Sequence, residues 1–141
     1  MAAMQFGRDP ALDISVLNYG GSDIPANTAV LIDTTNVQSG DKNPGVVVPS
    51  SGGGVVGTLG ITVETIKANA ASAGRVAVVG VIQATADGSI TAGGYVQASD
   101  TSTKMGRVKA KGAGLEQLGQ ALNTASDGQL VLVLLCKAAT A

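Results

Sequence analysis

Ile24-Pro25-Ala26-Asn27-Thr28-Ala29-Val30-Leu31-Ile32-Asp33 returns later in the chain as Ile90-Thr91-Ala92-Gly93-Gly94-Tyr95-Val96-Gln97-Ala98-Ser99-Asp100. Two further stretches recur in the same order. Val56-Gly57-Thr58-Leu59-Gly60-Ile61-Thr62-Val63-Glu64-Thr65 is echoed by Leu118-Gly119-Gln120-Ala121-Leu122-Asn123-Thr124-Ala125, and Gly74-Arg75-Val76-Ala77-Val78-Val79 by Gly128-Gln129-Leu130-Val131-Leu132-Val133. Each set holds a turn-flanked strand, a Gly-punctuated apolar segment and a final apolar strand. This pattern predicts pseudo-repeats over residues 24–83 and 90–137. In this alignment Asp33 and Asp100 take matching places, which raises a paired carboxylate as a candidate site.

The flanking segments extend the β reading. Leu12 to Tyr19 alternates loosely and reads as a strand, followed by the turn cluster Gly20-Gly21-Ser22-Asp23. Thr28 to Asp33, Gly45 to Val48, Val55 to Val63, Arg75 to Gln83, Tyr95 to Ala98, Met105 to Lys111 and Gln129 to Lys137 are the other strand candidates. Glycine inside a strand, as at Gly57 and Gly60, marks a bulge or a close backbone approach. Ala86-Asp87-Gly88-Ser89 predicts a hairpin turn and Asp127-Gly128 a second Asp-Gly turn. Glu64 to Ala73 is compatible with one or two helical turns, and Leu115 to Leu122 with either strand or short helix. Many short strands with frequent turns predict an all-β, single-domain sandwich or barrel of mostly antiparallel strands, residues 12–141. It is preceded by an extended N-terminal arm, residues 1–11.

Composition narrows the function classes. The chain has 141 residues, 45% hydrophobic, but aromatics are only 2% and Trp is absent. The core must therefore be built from Val, Ala, Leu and Ile, which bury less area per side chain. Charged residues are 13%, against a usual share of about 25%. A surface so poor in charge suits contact with partners. The net charge of -1 argues against nucleic-acid binding, which favours a basic domain. No apolar run approaches the roughly 20 residues of a membrane helix, and the first ten residues hold no signal-like apolar stretch. The single cysteine, Cys136, sits in an apolar run and reads as a buried structural thiol.

Motifs that carry chemistry are sparse. Gly52-Gly53-Gly54-Val55-Val56-Gly57 matches the G-x-G-x-x-G spacing, but Pro49 and two serines precede it and the required downstream acid is missing. A flexible turn is the better reading. Lys104, Arg107, Lys109 and Lys111 lie close together without interleaved aromatics, so they fit a solvated strand face, docking to an acidic surface or, least well, a phosphate track. The chain has no histidine, which removes the commonest general base and metal ligand. The carboxylates fall mostly in turn contexts, where backbone geometry explains them. These readings together predict no enzyme and no cofactor or metal. In the N-terminal arm, Met4, Gln5, Phe6, Arg8, Asp9 and Pro10 belong to no core period and are the candidate contact residues with a neighbouring protein.

The order Ile24-Pro-Ala-Asn-Thr-Ala-Val, Val56-Gly-Thr-Leu-Gly-Ile, Ala73-Gly-Arg-Val-Ala-Val-Val-Gly-Val, Ile90-Thr-Ala-Gly-Gly-Tyr-Val, Leu118-Gly-Gln-Ala-Leu, Asp127-Gly-Gln-Leu-Val-Leu-Val resembles the small capsid decoration (cement) proteins of tailed bacteriophages. The resemblance spans Ile24 to Leu135. Where that family often has Gly-Asp, this chain has Asn27 and Gly93-Gly94, which can fill the same turns. The resemblance implies a β protein on the outer capsid surface, made in the host cytoplasm. It further implies a homotrimer, bound to the major capsid protein and bridging neighbouring capsid subunits, with no direct contact to nucleic acid or membrane. A tail or fibre module is the alternative, and a small ligand-binding barrel the next.

Overall fold

The computed structural model describes residues 11–36, 43–50, 57–113 and 115–138. Among them, nine strands form one antiparallel sheet: β1 (Ala11–Val16), β2 (Ala29–Ile32), β3 (Val46–Val47), β4 (Thr58–Thr62), β5 (Gly74–Thr85), β6 (Tyr95–Ala98), β7 (Val108–Ala110), β8 (Gln117–Ala121) and β9 (Leu130–Ala138). The order across the sheet is β3-β2-β4-β5-β9-β8-β6-β7, with β1 beside β5. The all-β expectation holds. The segment Glu64 to Ala73 carries no α-helix; it holds a 3-10 turn at Ala68–Ala70 in which Asn69 has left-handed backbone. Among the described residues no helix is long and apolar enough to cross a membrane.

β5 is the hinge of the architecture. Its first part, Gly74 to Gly80, carries β1 on one side, and Val76 and Ala77 carry β4 on the other. Its second part, Gly80 to Thr85, pairs with β9. Each part belongs to a different curled unit of five strands. In the first unit, β1, β5, β4, β2 and β3 curl until Leu17, just past β1, meets Gly45, just before β3, in a parallel bridge. Leu17 N–H donates to Pro44 O at 3.0 Å and Val46 N–H to Leu17 O at 2.9 Å. In the second unit, β5, β9, β8, β6 and β7 curl until Ala86, just past β5, meets Val108 in another parallel bridge. Of sandwich and barrel, the sheet has taken the barrel-like course. Curling brings both outer strands, β3 and β7, onto backbone partners, which lessens the edge-strand hazard.

The repeat is visible in the hydrogen bonds. Ile24 and Ile66 exchange backbone bonds at 2.9 and 2.8 Å, and Ile90 and Ala125 exchange the same pair at 2.9 Å each. Asn27 N–H donates to Thr62 O at 2.9 Å, Gly93 N–H to Ala121 O at 2.7 Å. Asn27 and Gly93 both have positive φ, 64° and 85°, so the two residues do fill one turn. Val30 pairs with Gly60, and Val96 with Gly119. A Cβ on Gly60 would lie 2.0 Å from Ala77 O, and one on Gly119 2.4 Å from Leu134 O. Both strand glycines are therefore fixed by close backbone approach.

Two matches differ from the sequence alignment. Thr62 pairs with Val76 while its equivalent Ala121 pairs with Val133, so the third unit aligns three residues further on, Gly74 with Val131. The runs 74–85 and 130–138 are nearly continuous in apolar residues and offer no alternation to fix register. Asp33 N–H donates to Gly45 O and Ser99 N–H to Arg107 O, both at 2.8 Å, so Ser99 rather than Asp100 matches Asp33.

The core follows the two units. One cluster gathers Val16, Ile24, Val30, Val46, Ile66 and Val76 inside the first. The larger cluster holds Val96, Val108, Leu118, Val131, Val133 and Leu135 of the second unit together with Ala29, Ile61 and Ala77 of the first. The face of the first unit opposite its own core is thus packed against the second. In β1 a bulge between Leu12 and Asp13 interrupts the alternation, and Leu12 ends up exposed.

Candidate functional site

The candidate contact residues Met4, Gln5, Phe6, Arg8, Asp9 and Pro10 lie outside the described residues; Ala11 is already the first residue of β1. Most of the glycine-rich stretch, residues 52–56, also lies outside them. Gly57 is described: it has φ 78°, and its N–H donates to Glu116 Oε2 at 3.1 Å.

Asp33 and Asp100 have separate partners. Asp33 accepts from Thr35 N–H at 2.9 Å, Asn36 N–H at 3.1 Å and the Asn36 side chain at 2.8 Å. The Asn36 side chain leads in holding its carboxyl below the ordinary value. Asp100 accepts from Lys109 Nζ at 2.9 Å, which lowers its carboxyl likewise. A loop-bracing role accounts for both. Among the described residues no three His, Cys, Asp or Glu side chains are grouped to hold a metal ion.

The basic cluster is neutralised from within. Lys104 Nζ lies 2.8 Å from Asp127 Oδ1 and 3.4 Å from Asp87 Oδ1; Arg107 reaches the same Asp127 oxygen at 3.5 Å; Lys109 holds Asp100. Lys111 Nζ donates to Gly112 O. Only Val108 to Ala110 of this stretch is strand. A phosphate track or an acidic docking surface needs free cations, and three of these four are ion-paired.

The most convergent polar group was not evident as such from sequence. Asp87-Gly88 forms a turn, with φ 78° at Gly88, but it closes no hairpin: β5 neighbours β9, and β6 neighbours β7 and β8. Asp87 is instead buried, where it accepts from Ser99 Oγ, from Thr101 Oγ1 at 2.7 Å and from Lys104. Burial pushes its pKa up, yet the Ser99, Thr101 and Lys104 bonds together outweigh burial and hold it below the ordinary value. Asp127 accepts from Lys104 and from Gly88 N–H at 2.9 Å. The two Asp-Gly turns are thereby tied to each other. Ser99 and Thr101 bring a third turn to the same carboxylate, and the arrangement is a structural brace. Cys136 is half-buried rather than buried, because the adjacent Leu135 points inward along β9; the Gln117 side chain donates to Cys136 O at 2.8 Å.

What remains open is surface. Large apolar side chains are exposed at Leu12 (65%), Val79 (56%), Tyr95 (52%), Leu134 (37%), Leu122 and Leu130. Leu12 and Val79 are direct cross-strand partners. Tyr95 and Leu134 flank Gln120 in a row across β6, β8 and β9. Contiguous exposed apolar residues of this kind mark contact sites more than catalytic ones. A shallow cleft opens where Pro25, Asn27 and Val48 face Thr85, Met105 and Arg107, and its one charged group, Arg107, is already bound to Asp127.

No protein-family model and no curated protein matches the chain. Among solved structures, the N base of the head fiber protein gp8.5 of bacteriophage phi29 is similar, with a TM-score of 0.61 over 89% of this chain and 93% of that one, at 15% identity. At that identity the likeness concerns the fold.

Proposed function

We propose that the chain is a non-enzymatic structural protein of a bacteriophage virion, carried on the outside of the head and bound to the major capsid protein. It bridges neighbouring capsid subunits there as a homotrimer. The observation that carries this reading is the fold shared, nearly end to end, with a protein of a phage head fiber. The order of turn and strand motifs from Ile24 to Leu135 supports it, as does a surface whose open features are apolar rows. A multivalent clamp gains affinity from high effective concentration, so a modest contact at each subunit suffices. The same likeness favours a second reading, that the chain forms the base of a projecting head fibre.

Co-sedimentation of the purified protein with expanded empty shells and with unexpanded precursor shells of its phage tests the proposal. Saturable binding to expanded shells is the expected result, and absence from both pellets overturns it. Micrographs of the loaded shells separate the two readings: a flush cap indicates a bridge and a protruding rod indicates a fibre base.

A further inference from the structure

The loop of residues 99–107 joins β6 to β7 and stands at the seam between the two units. Its side chains are fixed by carboxylates. Ser99 and Thr101 donate to Asp87, Lys104 reaches both Asp87 and Asp127, and Arg107 reaches Asp127. Asp87 is buried and Asp127 half exposed, so Lys104 joins a sheltered anchor to a clasp open to solvent. On its other side the loop meets the first unit through Gly106. Ala29 N–H donates to Gly106 O at 2.7 Å. A Cβ on Gly106 would lie 2.8 Å from Thr28 Cγ2 and 3.1 Å from Val48 Cγ1, so the loop is closely seated there. Met105, Gly106 and Arg107 form one wall of the seam cleft, facing Pro25, Asn27 and Val48.

The apolar core does not hold this loop. Neither core cluster includes a residue from 99 to 107; the larger one takes in Ala98 and Val108, which flank the loop, and stops there. Ala98 and Val108 are paired across β6 and β7, and Ser99 N–H donates to Arg107 O one rung beyond. That rung is a fixed base from which the loop can lift. The seam beneath is held independently, by Thr85 N–H donating to Asn27 O and by Ala29, Ile61 and Ala77 in the larger cluster.

We propose that loop 99–107 is a strap across the seam, latched by Asp87 and Asp127, and that unlatching it opens the cleft while both units stay folded. Lifting the strap gives up the Ala29–Gly106 bond and the seat of Gly106, and leaves the core closed. Openings that expose little apolar surface lie well below global unfolding in free energy. The latch also responds to ions. Salt screens the exposed Asp127 clasp more than the buried Asp87 anchor, so ionic strength loosens the strap from its outer end. The device is contained within the chain and does not depend on what the chain is bound to.

Hydrogen exchange followed by NMR on the full chain tests it, in the wild type, Asp87→Asn and Lys104→Gln. The Ala29 amide reports the strap and the Thr85 amide the seam, while the Ile66 and Ile90 amides report the first and second units. In both variants Ala29 should exchange about ten-fold faster or more, beyond any change shared by the other three amides. In the wild type, raising salt from about 0.1 M to about 1 M shortens the screening length from about 10 Å to about 3 Å. That step should speed exchange at Ala29 alone, and Lys104→Gln should be insensitive to it. The salt series needs no substitution, so it decides even where Asp87→Asn fails to fold. Exchange at Ala29 that rises only in step with Ile66 and Ile90 would mean that the latch holds the units folded rather than the strap closed. Joint release of Ala29 and Thr85 would mean that the units part as bodies. Either result overturns the strap, as does an Ala29 amide indifferent to both substitutions and to salt.

Discussion

The first and second units share a backbone plan and differ in how their loops are held. At matching positions Asp33 and Ser99 each brace the loop that follows, through Thr35 N–H to Asp33 Oδ1 at 2.9 Å and Thr101 N–H to Ser99 Oγ at 3.1 Å. The Asp33 carboxylate spends its remaining capacity on Asn36, three residues away. Ser99 instead donates to Asp87, and through it joins Thr101, Lys104 and Asp127. One brace is local and the other ties turns distant in sequence. The larger apolar cluster also centres on the second unit. The difference teaches that a duplicated fold keeps what its backbone demands, the Gly60 and Gly119 approaches and the Asn27 and Gly93 turns, while side-chain networks diverge freely.

The largest expected effect comes from that shared demand. Gly60→Ala and Gly119→Ala each force a Cβ onto a backbone oxygen. Overpacking typically costs about 1–3 kcal/mol, and backbone that cannot yield puts both variants at the upper end of that range. Urea unfolding should show both variants destabilised alike, whereas Gly21→Ala, whose Cβ meets nothing within 4 Å, stays near wild type. A large loss at one strand glycine and none at the other would break the equivalence of the units.

A smaller effect separates the braces. Asp87→Asn weakens the acceptor shared by Ser99, Thr101 and Lys104 and should cost about 1–3 kcal/mol at neutral pH. Asp33→Asn keeps an oxygen for the Thr35 and Asn36 amides and should cost less. The pH dependence sharpens this. Asp87 titrates below the ordinary 3.8 in the folded chain, so its stabilisation is present above that value and is lost as pH falls through the folded pKa. Thermal unfolding of the wild type should fall off steeply on acidification below that range, and Asp87→Asn should fall off less. Some decline persists in the variant, because Asp23, Asp33, Asp100 and Asp127 are lowered too. Equal acid slopes in the two proteins would remove Asp87 from the account.

The smallest effect lies at the first unit's surface. Lys67 and Asp23 form an exposed pair at 3.3 Å, and such pairs contribute little. Lys67→Ala should leave the melting temperature unchanged within error, since Ala68 N–H still donates to Asp23. A clear drop would mean that the first unit relies on its surface ions more than the second does.

Much of the fold was legible because it rests on backbone chemistry. Tyr95 to Ala98 matches β6 residue for residue, and Gly60 announced a close approach by being a glycine within a strand pattern. Leu115 to Leu122 resolved as strand, since β8 fills the gap between β6 and β9. The illegible parts depend on which strands meet. An Asp-Gly turn between two strands suggested a hairpin, but β5 passes its partner role to β9, and nothing near residue 87 in sequence signals that. The buried role of Asp87 was hidden for the same reason, since Ser99 and Thr101 come to it from another turn. The open Tyr95–Gln120–Leu134 row was equally hidden, because it is assembled from three strands whose pairing no neighbour along the chain signals.

Labelling intact virions with gold-conjugated antibody against this chain and imaging them by electron microscopy tests the central claim most directly. The account predicts gold distributed over the head surface. Gold confined to the tail, or virions that carry none, would contradict it.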